Sequence, residues 1–245
     1  MITLAPFYKE VDIRTEGIEV NEMSSIFDYK ANLYRMYSTF KKHNPSHNFV
    51  VTTDNKTKLK GLNVFRTNME GQNIMESFCS SNLEFIKHSN DNVVLCGADH
   101  LINGNVEKLF VEDFDIALAV VGNPIRINNT IVLVKNKNKN LVIDFFKRRY
   151  DVYKVLTAEE KLWFGDQLSL QRILEQEKIL DTKSQNLPLG HFNIQGLKLF
   201  IFQYGSWYVN SVKKSIPAID NPIIVDFKGP KRKKRIDEIY QGLMR

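Results

Sequence analysis

Only two cysteines, Cys79 and Cys96, occur in 245 residues, and both sit inside apolar patterns. That excludes a disulfide framework, and both thiols read as reduced core residues of a cytoplasmic protein. Long apolar runs are missing too. The longest, Ile116–Val121, falls far short of the roughly 20 residues that cross a bilayer, so no integral membrane segment is expected. The opening MITLAPFYKEVDIRTEG lacks the basic start and apolar stretch of a secretory signal. There is no repeat, low-complexity linker or composition break that demands a second domain.

What is present looks globular: 43% of residues are hydrophobic and 25% charged. The net charge of +6 suggests nucleic acid until it is located. Residues 228–245 hold seven Lys or Arg against two Asp or Glu, so this segment carries +5 and leaves +1 for the rest. A nucleic-acid-binding domain spreads its basic residues over a face and interleaves exposed aromatics, and the body of the chain does not. Nucleic acid is therefore not the expected partner. A basic-tailed nucleic-acid-binding protein remains the alternative that salt-sensitive binding would reveal.

Strands and helices alternate along the chain. Apolar residues recur at helical spacing over 25–42, 74–86, 140–153 and 166–177. Short apolar runs at 1–5, 48–52, 63–66, 92–96, 115–121, 130–135, 197–203 and 223–226 read as strands. This pattern predicts a single α/β domain, a mostly parallel central sheet with helices on both faces. Ligands of such sheets bind outside the carboxyl ends of the strands. That rule singles out Thr53-Asp54 and Asp99-His100, each just past a strand end. Asp99 suits two roles: a carboxylate ligand for a hard cation such as Mg²⁺ or Mn²⁺, or a cap that bonds the backbone of its own turn. Gly165-Asp166 likewise reads as a helix start with Asp166 at the N-cap. Trp163, Trp207, Tyr204 and Tyr208 suit either an acceptor platform or the core.

Six segments, in order, resemble the A-type (GT-A) glycosyltransferases that use nucleotide-diphosphate sugars, in their glycogenin-like and lipopolysaccharide-galactosyltransferase-like branch. They are NFVVTTDN (48–55), NVVLCGADHLI (92–102), LFVEDFDIAL (109–118), IRINNTIVLV (125–134), WFGDQLSLQRIL (163–174) and VDFKGPKRKK (225–234). The resemblance implies a nucleotide-diphospho-sugar transferase domain over 1–227 and a basic segment, 228–245, folding over the donor site. It places Thr3, Thr53 and Asp54 beside the base and ribose. It places Asn128, Asp166 and Gln167 at the donor sugar, and Lys228, Gly229, Lys231 and Arg232 at the diphosphate. Asp99 and Asp226 become the ligands of Mn²⁺ or Mg²⁺, with His100 as a neighbour. The family's two-acid metal motif is reduced here to Gly97-Ala98-Asp99, its late histidine is Asp226, and Thr130 replaces a glycine. The activity implied is metal-assisted hexosyl transfer, with retention of configuration, from a UDP-sugar to a glycan, lipid or protein acceptor. The missing first acid keeps a non-catalytic nucleotide-sugar-binding relative as the second reading.

Overall fold

The computed structural model describes residues 1–10, 28–122, 124–161, 164–184, 186–206, 208–211, 222–227 and 232–244. Its centre is an eight-stranded sheet. β1 (Ile2–Pro6), β2 (Asn48–Thr53), β3 (Asn63–Arg66) and β4 (Asn92–Cys96) run parallel in the order β3-β2-β1-β4. The sheet continues through β7 (Arg126–Val134), β6 (Ile116–Val121), β9 (Leu197–Gln203) and β8 (Gly190–Ile194), of which β7 and β8 run opposite to the rest. The domain is GT-A-like, with a mostly parallel sheet covered on both faces.

Side-chain alternation assigns the faces. On β1, Leu4 joins one apolar cluster and Ala5 the other; on β4, Val94 and Cys96 face one way and Val93 and Leu95 the other. Helix α1 (Tyr29–His43) covers the first face with Leu33, Met36 and Phe40. Each such fully buried side chain stabilises the fold by about 1.5–3 kcal/mol. Asp28 caps α1 by accepting from the Ala31 N–H, and Lys41, Lys42 and His43 complement the dipole at its end. Helices α2 (Ile74–His88), α3 (Lys139–Lys154) and α4 (Gly165–Gln176) cover the other face.

The chain winds outward from β1 to β2 and β3, then returns to the far side of β1 as β4. The order therefore reverses between β1 and β4, with α1 and α2 on opposite faces. This is a topological switch point, where the loops leaving two neighbouring strands part and open a crevice. The loops after β1 and β4 begin at Phe7 and Gly97.

Two strands, β5 (His100–Ile102) and β10 (Val209–Ser211), and the helix α5 (Arg232–Met244) exceed the strand-and-helix pattern read from the sequence, whereas β11 (Ile224–Asp226) falls on the run read at 223–226. The three strands form a second sheet in the order β10-β11-β5. Helix α5 closes the basic segment and packs on this sheet and α1. Ile236 is buried with Leu101, Val225 and Phe227, while Ile239, Tyr240 and Leu243 flank them. Arg35 pairs with Asp237 at 2.6 Å across the α1–α5 contact.

Candidate active site

Strand β4 ends at the buried Cys96, and the turn Gly97-Ala98-Asp99 leads directly into β5. Three contacts pin this turn. Asn32 of α1 donates its side-chain N–H to the Ala98 carbonyl at 2.7 Å and the His100 carbonyl at 3.3 Å, and the Phe227 N–H donates to the Asp99 carbonyl at 3.1 Å. A Cβ at position 97 would lie 2.9 Å from Asp99 Oδ1, so glycine leaves room for that carboxylate where a longer side chain would press on it.

The register of β5 on β11 sets His100 opposite Asp226. Asp99, His100 and Asp226 each offer a ligand atom, and these atoms lie within 4.8 Å of one another. Asp99 is partly exposed, whereas His100 and Asp226 are buried. His100 Nδ1 lies 3.1 Å from the Gly97 carbonyl and 3.3 Å from Asp99 Oδ1. Both neighbours accept, so Nδ1 carries the proton and donates, assigned from its partners. The lone pair of Nε2 then faces Asp226 Oδ1 at 3.5 Å. Tyr204 donates its hydroxyl to the other oxygen of Asp226. A lone pair facing a carboxylate in a buried pocket is stabilised by a cation between them. The donor set therefore fits a hard or borderline divalent ion, and His100 belongs to it rather than standing beside it.

The loops after β1, β2 and β3, on the same carboxyl edge of the sheet, enclose a cleft of about 520 Å³ lined by Lys9, Glu10, Asp54, Asn68 and Gln72 among others. Asp54 lines it, but its carboxylate Oδ1 already accepts from the Lys56 and Thr57 N–H groups at 3.2 and 2.7 Å. Burial raises the Asp54 carboxyl, while the Thr57 and Lys56 hydrogen bonds outweigh that and hold it below its usual range. Thr53, the last residue of β2, is buried beneath the cleft. Thr3 requires a correction. Its hydroxyl donates to Asp91 Oδ2 at 2.7 Å, and it pairs with Asn48, the first residue of β2, and Val93, the second of β4. It lies at the amino ends of the strands, three residues or about 10 Å from the carboxyl edge, so it does not line this cleft.

A third group stands further along the same edge. Ile131 of β7 pairs with Cys96, and Asn129 precedes it by two residues, beyond the end of β4. Asn129 donates its side-chain N–H to Asp166 Oδ2 at 2.7 Å. Asp166 lies in the first turn of α4 but is not its N-cap; Phe164 holds that position without a side-chain bond. Burial pushes the Asp166 carboxyl above its usual range, and the Arg149 charge and the Asn129 hydrogen bond pull it back only in part. Gln167 follows, half-buried, and Asn128 pairs with Ala119 of β6 at an irregularity in the ladder.

The sign of the Asp166 shift gives a stability prediction. A carboxyl raised in the folded state favours folding below its unfolded pKa and loses that contribution as pH rises through its folded value. The stability of Asp166→Asn relative to the wild type should therefore increase as pH rises from about 4 to 7. Thermal melts at the two pH values check this; an equal difference at both would show that the carboxylate charge is not the cause.

Several expected residues fall elsewhere. Lys228, Gly229, Lys231, Trp163 and Trp207 lie outside the described residues, as do the side chains of Thr130 and of Arg232, the first residue of α5. Tyr204 donates to Asp226, and Tyr208 is buried with its ring 4.8 Å from Phe202, which fits the core reading for Tyr208. Asn129, the bond from Tyr204 to Asp226 and the full part of His100 were not singled out by sequence reasoning. Asn129 was adjacent to the expected Asn128, and only strand register tells them apart.

This switch-point edge with its acid cluster belongs to a GT-A-like glycosyltransferase fold. The chain is similar to the glycosyltransferase GlyE of Streptococcus pneumoniae TIGR4, at a TM-score of 0.56 and 12% identity over 99% of this chain and 59% of that one. It thus spans less than two thirds of that protein. It is also similar to the galactosyltransferase LgtC, solved with donor and acceptor sugar analogs, at a TM-score of 0.55 and 12% identity over 100% of this chain and 97% of that one. A third likeness is a glycosyltransferase involved in the glycosylation of the major capsid of PBCV-1, at a TM-score of 0.53 and 9% identity over 98% of each chain. At these identities the likeness establishes the fold. No family model matches the sequence, and no curated protein matches it. No described helix is long and apolar enough to cross a membrane.

Proposed function

We propose that the protein transfers a hexosyl residue from a nucleoside-diphosphate sugar, with a UDP-sugar as donor, to a glycan, lipid or protein acceptor. The observation that carries this is the convergence of Asp99, His100 and Asp226 within 4.8 Å at the sheet edge where the parallel strands end, the edge whose loops also form a polar cleft. Similarity to glycosyltransferases, including one solved with sugar analogs, supports the same reading. Its cytoplasmic location is part of the proposal.

In this reading Asp99, His100 and Asp226 hold Mn²⁺ or Mg²⁺, whose charge offsets that of the departing diphosphate. Tyr204 orients the Asp226 carboxylate, as partners behind metal ligands generally do. Lys228 and Lys231, which lie between β11 and α5 in the sequence, and Arg232, the first residue of α5, contact the diphosphate, with Gly229 permitting close backbone approach. Asp54 and Thr53 floor the base and ribose cleft. Asp166 accepts from donor hydroxyls and places negative charge near the anomeric carbon, where positive charge develops, and Asn128 and Gln167 complete the sugar's hydrogen bonds. Gly97, standing where the resembled family has its first acid, favours the second reading of a nucleotide-sugar binder without turnover.

A thermal-shift screen of UDP-, GDP-, CMP- and dTDP-sugars with and without Mn²⁺, followed by an assay of UDP release, tests the proposal. A ligand at 100 times its Kd stabilises by about 2.7 kcal/mol, which at this chain length raises the melting temperature by about 5–10 °C. The expected outcome is such a rise with a UDP-sugar and Mn²⁺ together, and turnover of that sugar. Binding without turnover selects the second reading, and no response to any sugar nucleotide refutes both.

A further inference from the structure

Helix α3 buries Val142, Phe145, Phe146 and Tyr153 along one stripe, and Arg149 occupies the same stripe, four residues after Phe145 and four before Tyr153. Its side chain is fully buried. A guanidinium stays charged at every ordinary pH, so its burial calls for a purpose. Nη2 donates to the backbone carbonyl of Asp166 at 3.3 Å, and the guanidinium carbon stands 5.7 Å from the Phe78 ring centre. Nε and Nη1 meet no hydrogen-bond acceptor among the described residues.

In the Asp166 carboxylate, Asn129 bonds Oδ2, no described side chain bonds the buried Oδ1, and the backbone N–H groups of Asp166 and Gln167 lie close enough to favour the carboxylate. A permanent cation thus grips the backbone beneath a buried anion without closing an ion pair on it. Closing the pair would occupy the lone pairs that a ligand hydroxyl needs.

We infer that Arg149 is the positioning residue for Asp166: it anchors the first turn of α4 through the Asp166 carbonyl and sustains the carboxylate charge through space without closing an ion pair on the carboxylate. The inference deepens the proposed function, since it takes Asp166 as a donor-sugar residue. The other titratable groups facing the pair do not replace Arg149. From α2 come Cys79, whose thiol burial pushes up to about 12, and the anion Glu76; from α3 comes Tyr153, pushed up by burial to about 12. β7 contributes the uncharged Asn129, and Lys161 from the loop before α4 stands 5.9 Å from the Tyr153 ring. Arg149 is the cation that both burial and geometry direct at Asp166.

The test is the titration of Asp166 itself, followed by ¹³C NMR of aspartate carboxyls and assigned with Asp166→Asn. In Arg149→Gln the Asp166 carboxyl should titrate about one pH unit or more above its wild-type position, and Arg149→Lys should restore most of the difference. The acid limb of kcat/KM for UDP-sugar hydrolysis should move in step. An Asp166 titration unchanged by Arg149→Gln overturns the inference, even in an active enzyme. If the wild type turns over no sugar nucleotide but the titration moves, the coupling stands and the reading of the sugar site falls. Should Arg149→Gln and Arg149→Met fail to fold at neutral pH, adding Asp166→Asn should rescue them by removing the uncompensated anion. Failure of that rescue also overturns the inference.

Discussion

Asp226→Asn should lower the affinity for Mn²⁺ by about 100-fold or more while leaving the fold intact. Partners standing behind metal ligands are each worth 10–100-fold in affinity, and loss of a direct anionic ligand costs at least as much. The fold should survive for a local reason. The amide oxygen still accepts from the Tyr204 hydroxyl, and the new N–H donates to His100 Nε2, which faces a carboxylate oxygen at 3.5 Å in the native site. The substitution thus supplies the bridging proton and removes the need for a cation. Titration calorimetry or Mn²⁺ electron paramagnetic resonance, run beside a thermal melt, reads both effects. Wild-type affinity in the variant would remove Asp226 from the site, and the metal proposal would then rest on Asp99 and His100.

Deleting residues 232–245 should lower the melting temperature by roughly 10 °C. The helix removed contributes Ile236, fully buried, and the partly buried Ile239, Tyr240 and Leu243, which cover Leu101, Val225 and Phe227. Losing these contacts costs about 3–5 kcal/mol, or about 2–4 °C per kcal/mol for a chain of this size. The surface pair Arg35–Asp237 adds at most about 1 kcal/mol, so apolar contact dominates. Ile236→Asp should reproduce most of the loss without shortening the chain. A change under about 2 °C in both variants would mean that α5 adds little to the stability of the body.

Much of this organisation was legible in the sequence because it rests on period. The long strands and α1 to α4 declare themselves by apolar spacing, and Asp99 was locatable as the acid after a buried run. Three-residue strands such as β5 and β10 are too short to show a period, so the strand of Asp226 was legible but the sheet that joins it to His100 was not. Thr3 was assigned by family position, yet its place near the start of β1 already put it at the wrong end of the sheet. Arg149 carried a visible signal, a charge at a stripe position of α3. That signal is weak, since long basic side chains commonly lay their stems on apolar surface and reach water. Only the packing of α2, α3 and α4 around it closes that route.

The pairing of His100 with Asp226 joins positions separated by more than half the chain. During synthesis, β1 through β4 and Asp99 emerge long before β11 exists, so the nascent chain holds an incomplete ligand set until β11 has left the ribosome. Closing so long a loop is slow and entropically opposed. Docking of β11 against β5 therefore completes the acid cluster, and a divalent ion added to a refolding chain should capture that late step and leave the earlier ones unchanged.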